Sequence, residues 1–152
     1  PMKPGDVLPA ARRLYIETTP LIYYVEANPT YVTKMDAILK VVENGPFEVC
    51  SAVITLTEVL VHPLQEGNAA LAQQYRDILV NNSDFKLLPI TIHIAEAAAD
   101  LRARYGLRTP DALHIAAAIS AGCDTFLTND SSFKRVAEIG VLVLDELEGE
   151  LS

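Results

Sequence analysis

Short apolar runs alternate along this chain with longer stretches in which apolar residues recur at helical spacing. Residues 14–16, Leu-Tyr-Ile, form the first short run, which stops at Glu17-Thr18-Thr19-Pro20. This reads as a strand followed by a helix that starts at Pro20 and carries Leu21, Ile22, Tyr24 and Val25. Asn28-Pro29 closes that helix. From about Thr30, Val32, Met35, Ile38, Leu39 and Val42 keep helical spacing up to Gly45-Pro46. Residues 47–50 read as a second strand, Ser51 as the cap of a helix reaching about Pro63, and a further helix runs from near Asn68 to Asn81. Residues 85–90 make a third strand, after which Thr91 opens an alanine-rich helix that ends at Tyr105 and is closed by Gly106.

The most informative stretch is residues 108–130, RTPDALHIAAAISAGCDTFLTND. Thr109 is a candidate cap, Pro110 suits a first helical position, and Gly122 suits a left-handed stop. Ala112, Leu113 and Ile115 to Ile119 make the helix apolar on almost every side, which belongs inside a layered fold. Residues 124–128 then form a short buried strand that ends in Asn129-Asp130-Ser-Ser. A short helix near residues 133–138 and a strand at 141–144 complete the pattern. Strands that are short, apolar and separated by helices predict a three-layer α/β/α sandwich around a parallel sheet of four to five strands. In such open sheets the ligand crevice lies beyond the carboxyl ends of the strands.

With 152 residues the chain has the length of one domain, enough to bury roughly two-thirds of its unfolded surface without staples. We expect a single domain over residues 12–145. Residues 1–11 are expected to be an extension in which Pro1, ahead of Met2, was added to the natural start, and the acidic residues 146–152 a tail that frays. Cys50 and Cys123 lie in apolar contexts far apart in sequence and read as buried free thiols of a reducing, cytoplasmic protein. His62, His93 and His114 are scattered singly and do not spell a zinc site. No segment approaches the run of about 18 apolar residues that crosses a membrane. A net charge of −8 argues against broad electrostatic capture of nucleic acid. The local cations that remain to hold a phosphate backbone are Arg102, Arg104 and Arg108, with Lys134 and Arg135 further on; the plain alternative is a solvated helix end.

Four acids can meet in this fold. Glu17 stands at the carboxyl end of the first strand and Asp130 at that of the fourth, while Asp111 lies in the first turn of a helix. Glu58 shares a narrow polar stripe with Thr55 and His62 on an otherwise largely apolar helix. Each acid has an ordinary explanation: the helix dipole for Asp111, a cap for Asp130, a solvent-facing position for Glu58 and a strand end for Glu17. Together, carboxylates in one pocket repel unless a cation neutralises them. An all-oxygen set favours Mg²⁺ or Mn²⁺ over zinc. The natural work of such a site is phosphodiester cleavage by an activated water.

LYIETTPLIYYVE, SAVITLTEVL, RTPDALHIAAAISAGCDTFLTND and the final VLVLD strand resemble, in order and over residues 14–144, the PIN-domain ribonucleases, particularly the toxins of VapBC-type toxin–antitoxin pairs. The resemblance implies that Glu58, Asp111 and Asp130 are metal-site acids, with Thr128 supporting them. It also implies a homodimer and a small antitoxin that blocks the cleft. Glu17 departs from the family's usual aspartate, and its extra methylene pushes the carboxylate outward; Thr18, Thr19 and Glu26 are further candidates for its neighbourhood. The reading is an Mg²⁺- or Mn²⁺-dependent endoribonuclease. A catalytically inactive module that binds protein or RNA is the alternative from another class. A small-molecule phosphatase fits less well, because the first strand ends in Glu17 where a phosphoryl-accepting aspartate would be needed. Neither G-x-G-x-x-G nor G-x-x-x-x-G-K-[ST] occurs.

Overall fold

The computed structural model describes Lys3, Leu8 and residues 13–147. Five strands, β1 (Arg13–Ile16), β2 (Glu48–Ala52), β3 (Phe85–Leu88), β4 (Thr125–Thr128) and β5 (Gly140–Val143), form one sheet in the order β3-β2-β1-β4-β5. Every pairing is parallel. The helices between them are α1 (Thr18–Val25), α2 (Val32–Glu43), α3 (Val53–Gln65), α4 (Ala69–Leu79), α5 (Ile92–Tyr105) and α6 (Thr109–Ser120). The predicted three-layer α/β/α sandwich is what forms, with the upper count of strands.

Alternation along the strands divides the core in two. Leu14, Ile16 and Leu127 pack on one side of the sheet with Leu21, Met35, Ile38, Val59, Tyr75 and Leu79. Tyr15, Cys50 and Phe126 face the other side, against Ile94, Ala98 and Leu101 of α5 and Ala112 to Ala118 of α6. A strand buried on both faces has no polar side to show, which is why the runs read as continuous hydrophobicity. The alanines let α6 approach the sheet closely, and Gly122, at φ +75°, turns the chain into β4 in the left-handed conformation expected of it.

Several local expectations need correction. Ser51 does not cap a helix: β2 continues through Ala52, paired with Leu88, so the chain cannot turn before Val53. The Ser51 hydroxyl instead donates to the Ile16 carbonyl at 2.7 Å. Thr109 lies inside α6, and its hydroxyl accepts from Arg102 Nη1 at 2.9 Å, bracing the α5–α6 joint. The helix expected at residues 133–138 is a 3₁₀ turn at Ser131–Arg135. Order also extends past Asp145, through a 3₁₀ turn at Leu144–Glu146 that Lys134 secures by an ion pair to Glu146 at 2.7 Å. Apart from Lys3 and Leu8, the expected extension at 1–11 lies outside the described residues, as does residue 12; so does the tail from residue 148.

Cys50 and Cys123 are both free and buried, as expected, but they are not isolated: their sulfurs lie 3.1 Å apart. That is roughly 1 Å from the length of a disulfide bond. Dilute hydrogen peroxide is therefore expected to join them, each thiol giving up a proton while the two electrons reduce the peroxide to water. Peptide mapping without reductant checks this; two thiols that both remain alkylatable after oxidation would count against it.

Candidate functional site

The carboxyl ends of β1 and β4 lie side by side because these strands are neighbours. Pairing continues one residue past β1, where the Glu17 amide donates to the Leu127 carbonyl at 3.0 Å. The Glu17 side chain is thereby drawn under the sheet edge, only 9% exposed, where its Oε2 accepts the Thr128 hydroxyl. Thr128 Oγ1 in turn accepts from the Asp130 amide at 3.0 Å, tying the two strand ends together. Asp130 caps the 3₁₀ turn through Oδ1, which accepts from the Ser132 amide at 2.9 Å. The capping explanation and a place in the crevice are thus compatible for this residue.

Asp111 sits in the first turn of α6 and pairs with Arg108 at 3.1 Å. Glu58, on α3, accepts at Oε1 from the Thr18 hydroxyl at 2.7 Å and lies 2.6 Å from His114 Nε2. The expected stripe breaks up. Thr55 turns inward, 2.6 Å from the Ser51 hydroxyl, and His62 stays on the surface beside Glu66.

Charge links Asp111 and Asp130 to Glu17, and links Glu58 to Arg108. Burial pushes the Glu17 carboxyl above its ordinary value; the charges of Asp111 and Asp130 add to this, and the hydrogen bond from Thr128 and the charge of His114 oppose it. The Ser132 hydrogen bonds, aided by Arg108 and Arg135, hold Asp130 below the usual carboxylate range. Burial acts to raise Glu58, but the hydrogen bonds from His114 and Thr18 outweigh it and the carboxyl ends up lowered. Arg108 feels Asp111, Asp130 and Glu58 together.

Among the described residues, no three His, Cys, Asp or Glu side chains converge closely enough to hold a metal ion. The donor chemistry nonetheless fits a hard divalent cation. The candidate donors are all carboxylate oxygens, Glu17 is buried with the charges of Asp111 and Asp130 acting on it, and the Arg108 side chain that pairs with Asp111 is 79% exposed.

Of the three arginines named as phosphate contacts, only Arg108 lies among the acids. Arg102 donates to the Leu107 carbonyl and to Thr109, and Arg104 is paired with Asp100 and Glu138. Glu26 accepts a hydrogen bond from Tyr75 and so turns to α4. A cavity of about 1080 Å³ lies elsewhere: Tyr24, Leu39, Phe47 and Ile78 line it, and none of the four acids does.

One residue was passed over in the sequence. His114 is 1% exposed and links Tyr15 to Glu58. Its signal was present: an imidazole three residues after Asp111, hence on the same face of a helix otherwise built from Ala, Leu and Ile.

A family model described as PIN domain matches residues 14–139. Among solved structures, the chain is 24% identical to one from a toxin–antitoxin complex of Klebsiella pneumoniae, at a TM-score of 0.66, covering 86% of this chain and 96% of that one. FitAcB from Neisseria gonorrhoeae is 18% identical with a TM-score of 0.68, covering 88% and 99%. The sarcin-ricin loop cleaving toxin VapC20 of Mycobacterium tuberculosis is 14% identical with a TM-score of 0.64, covering 84% and 98%. At these identities the likeness is one of fold. No curated protein sequence matches the chain.

Proposed function

Because the chain belongs to the PIN domain family, we propose that it is an Mg²⁺- or Mn²⁺-dependent endoribonuclease and the toxin of a VapBC-type pair. What supports this reading is that Asp111 and Asp130 act on the buried Glu17, and that Asp111, Asp130 and Glu58 all act on Arg108, at the ends of β1 and β4. These four residues would hold the ion, which supplies an acidified water and charge for the departing oxygen. Asp130 and Glu58, held below their ordinary values, stay ionised as ligands. Glu17, whose Oε2 accepts the Thr128 hydroxyl, would reach the ion through Oε1, and one of the four carboxylates would help to take the proton of the water. Arg108 faces the phosphate by exchanging its contact with Asp111 for the RNA backbone. Direct attack by water leaves a 5′-phosphate and a 3′-hydroxyl.

The toxin–antitoxin assemblies among the similar folds support an antitoxin partner, and the same reading carries a homodimer in the cytoplasm. Among the described residues no helix is long and apolar enough to cross a membrane.

The test is cleavage of single-stranded and structured RNA with and without Mg²⁺ or Mn²⁺. Asp111→Asn and Asp130→Asn are each expected to reduce cleavage by roughly 100-fold or more, and EDTA to abolish it. Cleavage that survives both substitutions, or EDTA, would sink the reading. Absence of any metal binding would favour the inactive binding module instead.

A further inference from the structure

A hydrogen-bond chain runs beside the four acids. Tyr15 Oη lies 2.7 Å from His114 Nδ1, His114 Nε2 lies 2.6 Å from Glu58 Oε1, and the Thr18 hydroxyl reaches the same Oε1 at 2.7 Å. The ends of the chain set its direction. The Tyr15 phenol is wholly buried. A carboxylate only accepts, so the contact between Nε2 and Oε1 is donated by the imidazole. The imidazole between them donates from Nε2 to the carboxylate and meets the Tyr15 hydroxyl at Nδ1. The ring has little room to turn: it is buried, Tyr15 meets it edge-on at 5.8 Å, and Tyr15 is itself stacked on Phe126 at 5.1 Å.

Both donors converge on one oxygen of Glu58, and Oε2 takes neither. The Glu58 side chain is 36% exposed, so a flexible three-bond side chain at the crevice has been pinned by a buried one. This is the arrangement in which an outer residue orients a carboxylate ligand.

We propose that His114 is a positioning residue for the metal site: fixed by Tyr15, it donates to Glu58 Oε1 and, with Thr18, presents Oε2 to a divalent cation. His114 itself touches neither the ion nor RNA. The inference rests on the metal-dependent reading above and adds to it a task for three residues, Tyr15, Thr18 and His114.

Mn²⁺ titration of the full chain, followed by the EPR signal of free ion and by calorimetry, tests it without reference to cleavage. His114→Leu is expected to weaken Mn²⁺ binding by about 10–100-fold. His114→Gln, whose amide nitrogen reaches the place of Nε2, should bind close to wild type. In a Glu58→Gln background, His114→Leu should cause no further loss, because its effect is routed through that carboxylate. His114→Leu protein that binds Mn²⁺ as tightly as wild type overturns the proposal, as does an equal loss in the Glu58→Gln background. A purely structural role would lower the melting temperature and leave the Mn²⁺ affinity of the folded protein unchanged. Should His114→Leu fail to fold, Tyr15→Phe and Thr18→Val take its place, and wild-type affinity in both overturns the proposal equally. Wild-type protein that binds no Mn²⁺ overturns this inference and the proposed function together, whereas wild-type binding that His114→Leu leaves intact overturns this inference alone.

Discussion

Glu17→Gln is expected to raise the melting temperature of the metal-free protein while lowering RNA cleavage by roughly 100-fold or more. The opposite signs have one cause. The Glu17 carboxylate is buried, and Asp111 and Asp130 lie close enough to repel it. An amide keeps a hydrogen bond with Thr128 yet removes the charge, relieving the fold. In a chain of this size each kcal/mol gained raises the melting temperature by about 2–4 °C. The same change deletes the ligand on which a cation depends. Differential scanning calorimetry with and without Mn²⁺ reads both effects, and a Glu17→Gln protein that is less stable than wild type without metal would contradict the argument.

A pH series separates Glu17 from its neighbours. An acid whose folded value is raised holds its proton more tightly in the folded than in the unfolded chain. Glu17 therefore adds stability as pH falls through that raised value, and the gain is complete below the ordinary range of about 4.3. Asp130 behaves oppositely. Its contribution is present above about 3.9 and is lost as pH falls through its depressed value. Glu17→Gln should remove the first component and leave the second.

Phe126→Ala should be the most damaging core substitution near the site, at a cost of about 3–5 kcal/mol. Phe126 is fully buried on β4, stacked on Tyr15 and packed against Phe133 at 5.0 Å. That loss is a large fraction of the 5–15 kcal/mol by which domains are typically stable. Urea unfolding measures it; a midpoint shift corresponding to under about 1 kcal/mol would show that the cavity collapses. Because β4 leads directly to Thr128 and Asp130, the folded fraction that remains should also bind Mn²⁺ poorly.

What could be read in the chain beforehand was whatever lies within a few residues of itself. Gly106 and Gly122 marked the ends of α5 and α6, and the alternation of short apolar runs with helices announced the parallel sheet. What could not be read depended on register. Ser51 looked like a cap because nothing local reveals that Ala52 still pairs with Leu88. Cys50 and Cys123 looked solitary because their contact is made across the sheet. His114 looked like a stray histidine because its partners, Tyr15 and Glu58, come from β1 and α3. That Glu17 and Asp130 come near each other could be expected because strand ends lie side by side in any parallel sheet.

The alanines of α6 have a consequence for how the crevice is dimensioned. Ala112, Ala116, Ala117 and Ala118 are all buried, and Ala has no rotamers to adjust. The gap between helix and sheet is therefore gauged by backbone atoms and methyl groups, and it sets how far Asp111 stands from the β1 and β4 ends. Such a spacer acts as a ruler. Its length can be altered one methylene at a time at these alanines, whose methyl groups take no part in the chemistry.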